Sequence, residues 1–478
     1  MGCTTILVGR DASYDGSPLV ARNEDSPNGE FHPKKVVVVR PEDQPRKYTS
    51  VISKVTISLP DDPLRYTAAP NAIPDQGIWA QAGINSANVA MSATETLTSN
   101  ERVLGADPLV KGGIGEEDFV TLVLPYIHSA REGVTRLGAL LQEFGTYEMN
   151  GIAFSDADEI WWLETVGGHH WIARRVPDDV YVTMPNQLGI DSFDVADALG
   201  EGREHLASAD LREFIADNFL DLSFDGSLNP RDAFGSHSDA DHFYNTPRAW
   251  YMQRVLNPSS TDFTPTSDDL PWCRHPERKI TIEDIKYVLS SHYQGTPYDP
   301  YAGTDERARL FRPIGINRHS QLSILQVRPY KPESSRSVQW IAYASNPFNT
   351  LIPLYTNVEK MPDYVSDTTE RVTTENFYWA SRILAALADA QFATALPDIE
   401  SYQQETLAVG HASLAKTDAE VDALIVGGGD LSYSSTNELE AANEEIAATV
   451  KRATEAVLDK VLLIASNGMK NSFSRSDG

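Results

Sequence analysis

Strand-like and helix-like runs occupy separate stretches of this chain, and that segregation restricts its fold more than any other feature. Residues 3–9 (CTTILVG), "PLVARNEDS", "KKVVVVRP" and "GIWAQAGINSANVAMSATET" are β-branched or apolar runs parted by turn residues. The Asp-Gly of "DASYDGS" predicts a hairpin between the first two. "GIAFSDADEIWWLETVGGHHWIARRVPDDVYVTMPNQL" reads as a meander of strands, and "SQLSILQVRP" and "SVQWIAYASN" alternate as strands do. In "EEDFVTLVLPYIHSAREGVTRLGALLQEFG" the apolar residues recur near every 3.6, which predicts one or two helices capped at Gly145. Residues 193–222 are helical in parts, 223–275 are Pro-, Ser- and Asp-rich and predicted irregular, and 374–396 and 437–466 carry long Ala- and Glu-rich helical patterns. Strands grouped apart from helices predict an α+β layered fold rather than a βαβ parallel sheet. The predicted division is a core over 1–370, interrupted around 223–275, and a helical segment over 371–478 packed on it or extending it.

The formal net charge of −28 opposes contact with nucleic acid or an anionic membrane. No run reaches the roughly 20 apolar residues of a membrane span, and the first residues lack the pattern of a signal peptide. Cys3 and Cys273 are the only cysteines of the 478 residues, too few for a disulfide framework and compatible with a reducing cytoplasm. No His/Cys set has zinc spacing and no Gly-rich phosphate loop follows a strand, so no metal or cofactor is expected. "VGGGD" at 426–430 reads as a turn, as does "DADE" at 156–159. In "GGHHW" the adjacent His169 and His170 would point to opposite faces of a strand, which disfavours one shared metal, and the stretch reads as a hairpin turn with an aromatic flank.

Cys3 admits three readings. As a lipid site it lacks the Ser or Thr that a myristoylation signal needs at the sixth position, where Ile6 stands. As a core residue it is a small hydrophobe that fills a strand. As a nucleophile exposed by removal of Met1 and Gly2, it would carry its own base, because the freed α-amine can take the thiol proton. The hairpin brings the far end of the second strand, Arg22-Asn23-Glu24-Asp25, beside the start of the first. There Arg22 would favour the thiolate and Asp25 could orient the amine, although a solvated turn is the ordinary fate of such a charge run.

"CTTILVGRDASYDGSPLVARNEDS" resembles the start of the cysteine dipeptidases of lactic acid bacteria, the dipeptidase A group of the N-terminal nucleophile (Ntn) hydrolases, related to bile-salt hydrolases and penicillin V acylases. The likeness continues through "GINSANVAMSATET", "NGIAFSDADEIWWLETVGGHHWIARRVPDD" and "FRPIGINRHSQLSILQVRP" and is weakest over the last hundred or so residues. It implies a four-layer αββα sandwich of two antiparallel sheets flanked by helices. It implies hydrolysis of dipeptides with broad specificity, with Cys3 as nucleophile and Arg22 and Asp25 beside it. "TMPNQL" matches the segment that supplies an oxyanion-hole asparagine, here Asn186, and "DHFYNTPRAW" matches one whose arginine stands near the nucleophile, here Arg248. Where the acylases carry a second Asn, this chain has Thr94 and Glu95, and Glu95 is suited to a substrate's free ammonium. Arg318 lies in a resembling segment, where it either supports the site or closes a sheet edge. The partner implied is a small peptide substrate, and many relatives assemble, so a homo-oligomer is compatible with the resemblance. The alternatives are an N-acyl amide hydrolase of the bile-salt or penicillin V type and a noncatalytic protein whose Cys3 stays capped.

Overall fold

Side chains two apart on a strand share a face, so the strand pattern decides what each sheet packs against. A computed structural model describes residues 2–27, 29–303, 305–426 and 433–472, without the side chains of Thr94, Glu95, Val426 and residues 433–435. It is an α+β fold built on two antiparallel sheets. The first sheet runs Cys273–Arg274, Tyr181–Met184, β1 (Thr4–Val8), β2 (Leu19–Asp25), His319–Val327, Ser337–Tyr343 and Ile352–Tyr355, in that spatial order. The second runs His205–Ala207, Trp171–Val176, Ile160–Thr165, Asn150–Ser155, Ala90–Thr96 and Ala82–Ile84.

Three apolar clusters follow from the alternation. Leu7, Val20, Val182 and Leu325 of the first sheet pack with Ala90, Ala153, Trp162 and Ile172 of the second. The other face of the first sheet, with Ile6, Ala21, Ile324 and Trp340, packs against the helices Ile282–Leu289, Phe377–Asp389 and Tyr433–Asn467. The other face of the second, with Met91, Ile152, Phe154 and Trp161, packs against Phe119–Val123 and Ala130–Phe144. The last of these helices stops at Gly145, in the left-handed region at φ 66°, as its position predicts. Among the described residues no helix is long and apolar enough to cross a membrane.

Two stretches differ from the sequence reading. The segment expected to be irregular holds helices over Pro230–Phe234, Asp241–Tyr244 and Thr246–Leu256. Its polar look is misleading, because Trp250, Tyr251 and Met252 are buried in the last of them. The terminal helical pattern also extends further than periodicity indicated, since Phe392–Val426 is one helix that takes in Pro397. Pro397 falls in its second turn and lacks the N–H that would bond the carbonyl of Ala393, so the helix runs on past one missing bond of its ladder. The 426–430 motif falls largely outside the described residues.

Glu164 shows how the intersheet space is tied to the segment that follows Met184. On the same face as Trp162, it accepts hydrogen bonds from Trp162 Nε1 at 3.0 Å, Gly189 N at 2.7 Å and Ile190 N at 3.3 Å. Burial pushes its carboxyl up from 4.5 to about 7 despite those donors. The folded chain therefore keeps a proton that the unfolded chain releases, and stability falls as pH rises between those two values and is level above them. Asp118 and Glu148, each also held near 7 by burial, titrate in the same window. We predict that Glu164→Gln flattens the pH dependence of urea unfolding between pH 5 and 8 by up to roughly 3 kcal/mol. An unchanged slope would mean that Glu164 ionises in the folded chain as it does in the unfolded one.

Candidate active site

The polar end of the intersheet face is dictated by the same period of two. Leu7 and Val20 lie in the apolar core; two residues further toward the strand ends come Thr5 and Arg22, and then Cys3 and Glu24. The hairpin register pairs Thr5 with Arg22 and Thr4 with Asn23, so Arg22 reaches the start of the chain as the sequence reading anticipates. Its Nη2 stands 2.8 Å from Cys3 Sγ and its Nη1 donates to Ala93 O at 3.1 Å. One guanidinium thus bridges the two sheets and sets its positive charge against the thiol. Cys3 is 1% exposed.

Asn186 arrives beside Cys3 because the strand Tyr181–Met184 pairs with β1, with Met184 opposite Thr5. The Cys3 N–H donates to Asn186 Oδ1 at 3.1 Å, and Arg248 Nη2 donates to the same oxygen at 2.8 Å. Two donors on the carbonyl oxygen assign the amide's orientation and turn Nδ2 into its donating arm. Arg248, from the helix Thr246–Leu256, is fully buried. Its Nη1 donates to Cys3 O and, at 2.7 Å, to Thr4 Oγ1; Nη2 also donates to Asn245 Oδ1 at 2.7 Å, and Nε to Tyr244 O at 2.8 Å. Asn245 Nδ2 in turn donates to Asn186 O at 3.1 Å.

Asp25 lies at the end of β2 and is buried. Arg312 Nη2 donates to its Oδ2, Arg318 Nε stands 3.9 Å from that oxygen, and His319 Nε2 stands 3.2 Å from Oδ1. Burial lowers His319 to about 4, outweighing the adjacent carboxylate, so the ring is neutral near pH 7. With Gly2 in place, Asp25 flanks Gly2 while the Cys3 N–H is taken by Asn186. Arg318 also donates to the Tyr244 hydroxyl at 2.8 Å, which places it beside this cluster.

Several neighbours carried no sequence signal. Arg312, His319 and Tyr244 come from segments remote in sequence, and a lone Arg or Tyr in a polar loop looks like solvent-facing residues everywhere. Lys34 is likewise fully buried, 2.5 Å from Glu24 Oε1, with Gln321 Nε2 donating to Oε2 at 2.7 Å. Burial lowers the Lys34 ammonium, and Glu24 opposes that shift. A repeating signal could have found Glu24, which shares the face of Arg22. The side chains of Thr94 and Glu95 lie outside those described; their strand has a register shift between Ala93 and Glu95, with Glu95 opposite Gly151.

His169 and His170 stand apart from this site. They occupy a turn rather than a strand, so both rings reach one carboxylate: Asp107 Oδ1 is 2.9 Å from His169 Nδ1 and Oδ2 is 2.7 Å from His170 Nδ1. Both backbone N–H groups donate to Asp107 Oδ2 as well, and these bonds hold its carboxyl well below the usual range against the opposing effect of burial. The turn is the hairpin connection expected from the sequence, between the paired strands Ile160–Thr165 and Trp171–Val176, and the opposite-face argument does not apply to it. Among the described residues no group of three or more His, Cys, Asp or Glu is arranged to hold a metal ion.

Residues 2–405 match the family described as Peptidase family C69. The chain is 59% identical over 532 residues to a dipeptidase of Bifidobacterium longum (strain NCC 2705), covering 100% of each. It is 56% identical to a probable dipeptidase A of Streptococcus pyogenes serotype M3 (strain SSI-1), covering 100% of each. It is 45% identical to a probable dipeptidase B of Lactococcus lactis subsp. lactis (strain IL1403), covering 99% of this chain and 98% of that one.

Arg248 is the test of this arrangement. Lysine keeps the charge but cannot reach several acceptors in a fixed fork. Arg248→Lys is predicted to remain folded by circular dichroism while peptide hydrolysis falls about tenfold or more. Arg248→Leu, which strips donors from buried acceptors, should lose roughly 3 kcal/mol or more of unfolding free energy. Full hydrolysis by the lysine variant would remove Arg248 from the account.

Proposed function

The chain belongs to peptidase family C69, and we propose that within it the chain is a cysteine-type dipeptidase of broad specificity, with Cys3 as its N-terminal nucleophile. The observation that carries this reading is the pairing on one residue: the Cys3 thiol meets Arg22 while the Cys3 backbone nitrogen is held by Asn186. Once residues 1 and 2 are released, that nitrogen is an amine within reach of its own thiol. The relatives described as dipeptidases supply the substrate class. The dependence of the apolar clusters on alternate strand residues supports a four-layer αββα sandwich of the Ntn type. The Phe377–Asp389 and Tyr433–Asn467 helices pack on the first sheet, which supports a helical segment over 371–478 joined to the catalytic core of 1–370. Cys3 and Cys273 are not joined in a disulfide, which suits a reducing cytoplasm.

The steps follow from the contacts. The amine takes the thiol proton, and the thiolate, favoured by Arg22, adds to the peptide carbonyl. Asn186 Nδ2, its carbonyl oxygen pinned by Cys3 N–H and Arg248, donates to the oxyanion. The C–N bond breaks, the leaving amine takes the proton, and a thioester remains. Water then cleaves the thioester, releasing the first amino acid and restoring the thiol. Asp25 orients the freed α-amine of Cys3. Glu95 binds the substrate ammonium with Thr94 beside it; they are two residues or fewer from Ala93, whose carbonyl accepts from Arg22.

An unblocked dipeptide compared with its N-acetyl form tests the reading. The dipeptide should be hydrolysed and the N-acetyl form spared; preference for the acylated compound would indicate an N-acyl amide hydrolase instead. Glu95→Ala should raise KM for the dipeptide about tenfold or more, the worth of one charge-assisted contact, and an unchanged KM would place the ammonium elsewhere. Cys3→Ala should abolish turnover.

A further inference from the structure

Gly2 is buried, and the space around it is closed by groups that cannot easily move. A Cβ on Gly2 would overlap the Tyr244 hydroxyl oxygen and stand 3.1 Å from Tyr244 Cζ and 3.2 Å from Asp25 Oδ2. A tyrosine hydroxyl at the end of a flexible side chain would swing aside. This one is held: Arg318 Nη2 donates to it at 2.8 Å, and the guanidiniums of Arg248 and Arg312 each stand over its ring, 5.1 and 5.2 Å from its centroid. Arg248 and Arg312 are themselves fixed, one by Cys3, Thr4 and Asn186 and the other by Asp25. The clamp on the leader residue is therefore built from the groups that hold the nucleophile.

We propose that Tyr244 is a specificity-determining residue for maturation: its clamped hydroxyl admits only glycine before Cys3, and so selects the peptide bond that the thiol opens. This rests on the reading of Cys3 as an N-terminal nucleophile. In the step concerned, Cys3 Sγ adds to the Gly2 carbonyl carbon. The bond from that carbon to the Cys3 nitrogen breaks, and the nitrogen takes the proton lost by the thiol. The products are a Gly2 thioester on Sγ and a free α-amine on Cys3. Water cleaves the thioester, the leader leaves as a carboxylic acid, and the thiol is restored. A side chain at position 2 would push the Gly2 carbonyl off the line of attack, and a misplacement of about 1 Å is enough to slow a reaction roughly 100-fold.

Intact-mass measurement over time after purification, on the full chain and four variants, tests this. The wild-type chain should begin at Cys3, and Gly2→Ala should retain residue 2 with maturation slowed roughly 100-fold or more. Tyr244→Phe removes only the overlapping oxygen and should mature by itself; combined with Gly2→Ala it should restore maturation to within about tenfold of Tyr244→Phe alone. Gly2→Ala maturing at the wild-type rate would overturn the proposal. So would a double variant that stays blocked, or a Tyr244→Phe chain that fails to mature, since the hydroxyl would then act in the chemistry rather than as a steric gate. The fourth variant deletes Gly2, so that removal of the initiator Met by the host leaves Cys3 first without any self-cleavage. If that variant and the mature wild-type chain both fail on dipeptides while the position-2 pattern holds, the dipeptidase reading fails and the gate stands. A wild-type chain that keeps Gly2 would sink both.

Discussion

The buried guanidinium of Arg248 is the constraint around which the rest of the site is arranged. A cation this deep is tolerated only when acceptors surround it, and the chain supplies them from three places at once. Cys3 O and Thr4 Oγ1 come from the start of β1, Asn186 Oδ1 from the segment after Met184, and Asn245 Oδ1 and Tyr244 O from the turn before the Arg248 helix. Satisfying one charge therefore fixes the Cys3 backbone, the orientation of the Asn186 amide and the position of Tyr244 together. Arg22 does the complementary work across the intersheet gap, joining the thiol to the Ala93 carbonyl. Neither arginine adds much as a surface ion pair would be counted; their value lies in the geometry they impose.

The same interdependence explains why the site is buried around Gly2. Tyr244 packs on Arg248 and Arg312, and Asp25 joins Arg312 to the leader residue. On the reading proposed here, the folded chain first encloses a bond within itself and uses that enclosure to make its own catalyst. The amine that would serve as base does not exist until that bond opens, so the chain lacks the base for attacking a substrate peptide until it has cut itself. A separate inhibitor is unnecessary when the base is still an amide nitrogen.

Much of this was legible in the sequence, and the limits have physical reasons. Period-two alternation, an Asp-Gly turn and a mixed-charge strand end were enough to bring Arg22 toward Cys3, because a hairpin is local and its register follows from its turn. Asn186 and Arg248 were reachable only through the resemblance, since antiparallel pairing and helix docking join segments far apart in sequence. The stretch expected to be irregular carries the Arg248 helix, because its flanking Pro, Ser and Asp residues obscure a short buried run. Tyr244, Arg312, His319 and Lys34 had no pattern to mark them: a buried polar residue is defined by the partners that the fold brings to it, not by its neighbours in the chain. The turn at His169 and His170 was legible from the Gly-Gly and the aromatic flank, but Asp107, the carboxylate that both rings meet there, was not.

The central claim is that Cys3 does not turn over a substrate peptide while Gly2 acylates its nitrogen. It is tested most directly by sampling one preparation during maturation and recording, for each sample, the fraction of chains that begin at Cys3 and the initial rate of dipeptide hydrolysis. The account predicts a straight line through the origin, with no rate from chains that retain Gly2. A finite rate at zero mature fraction would contradict it.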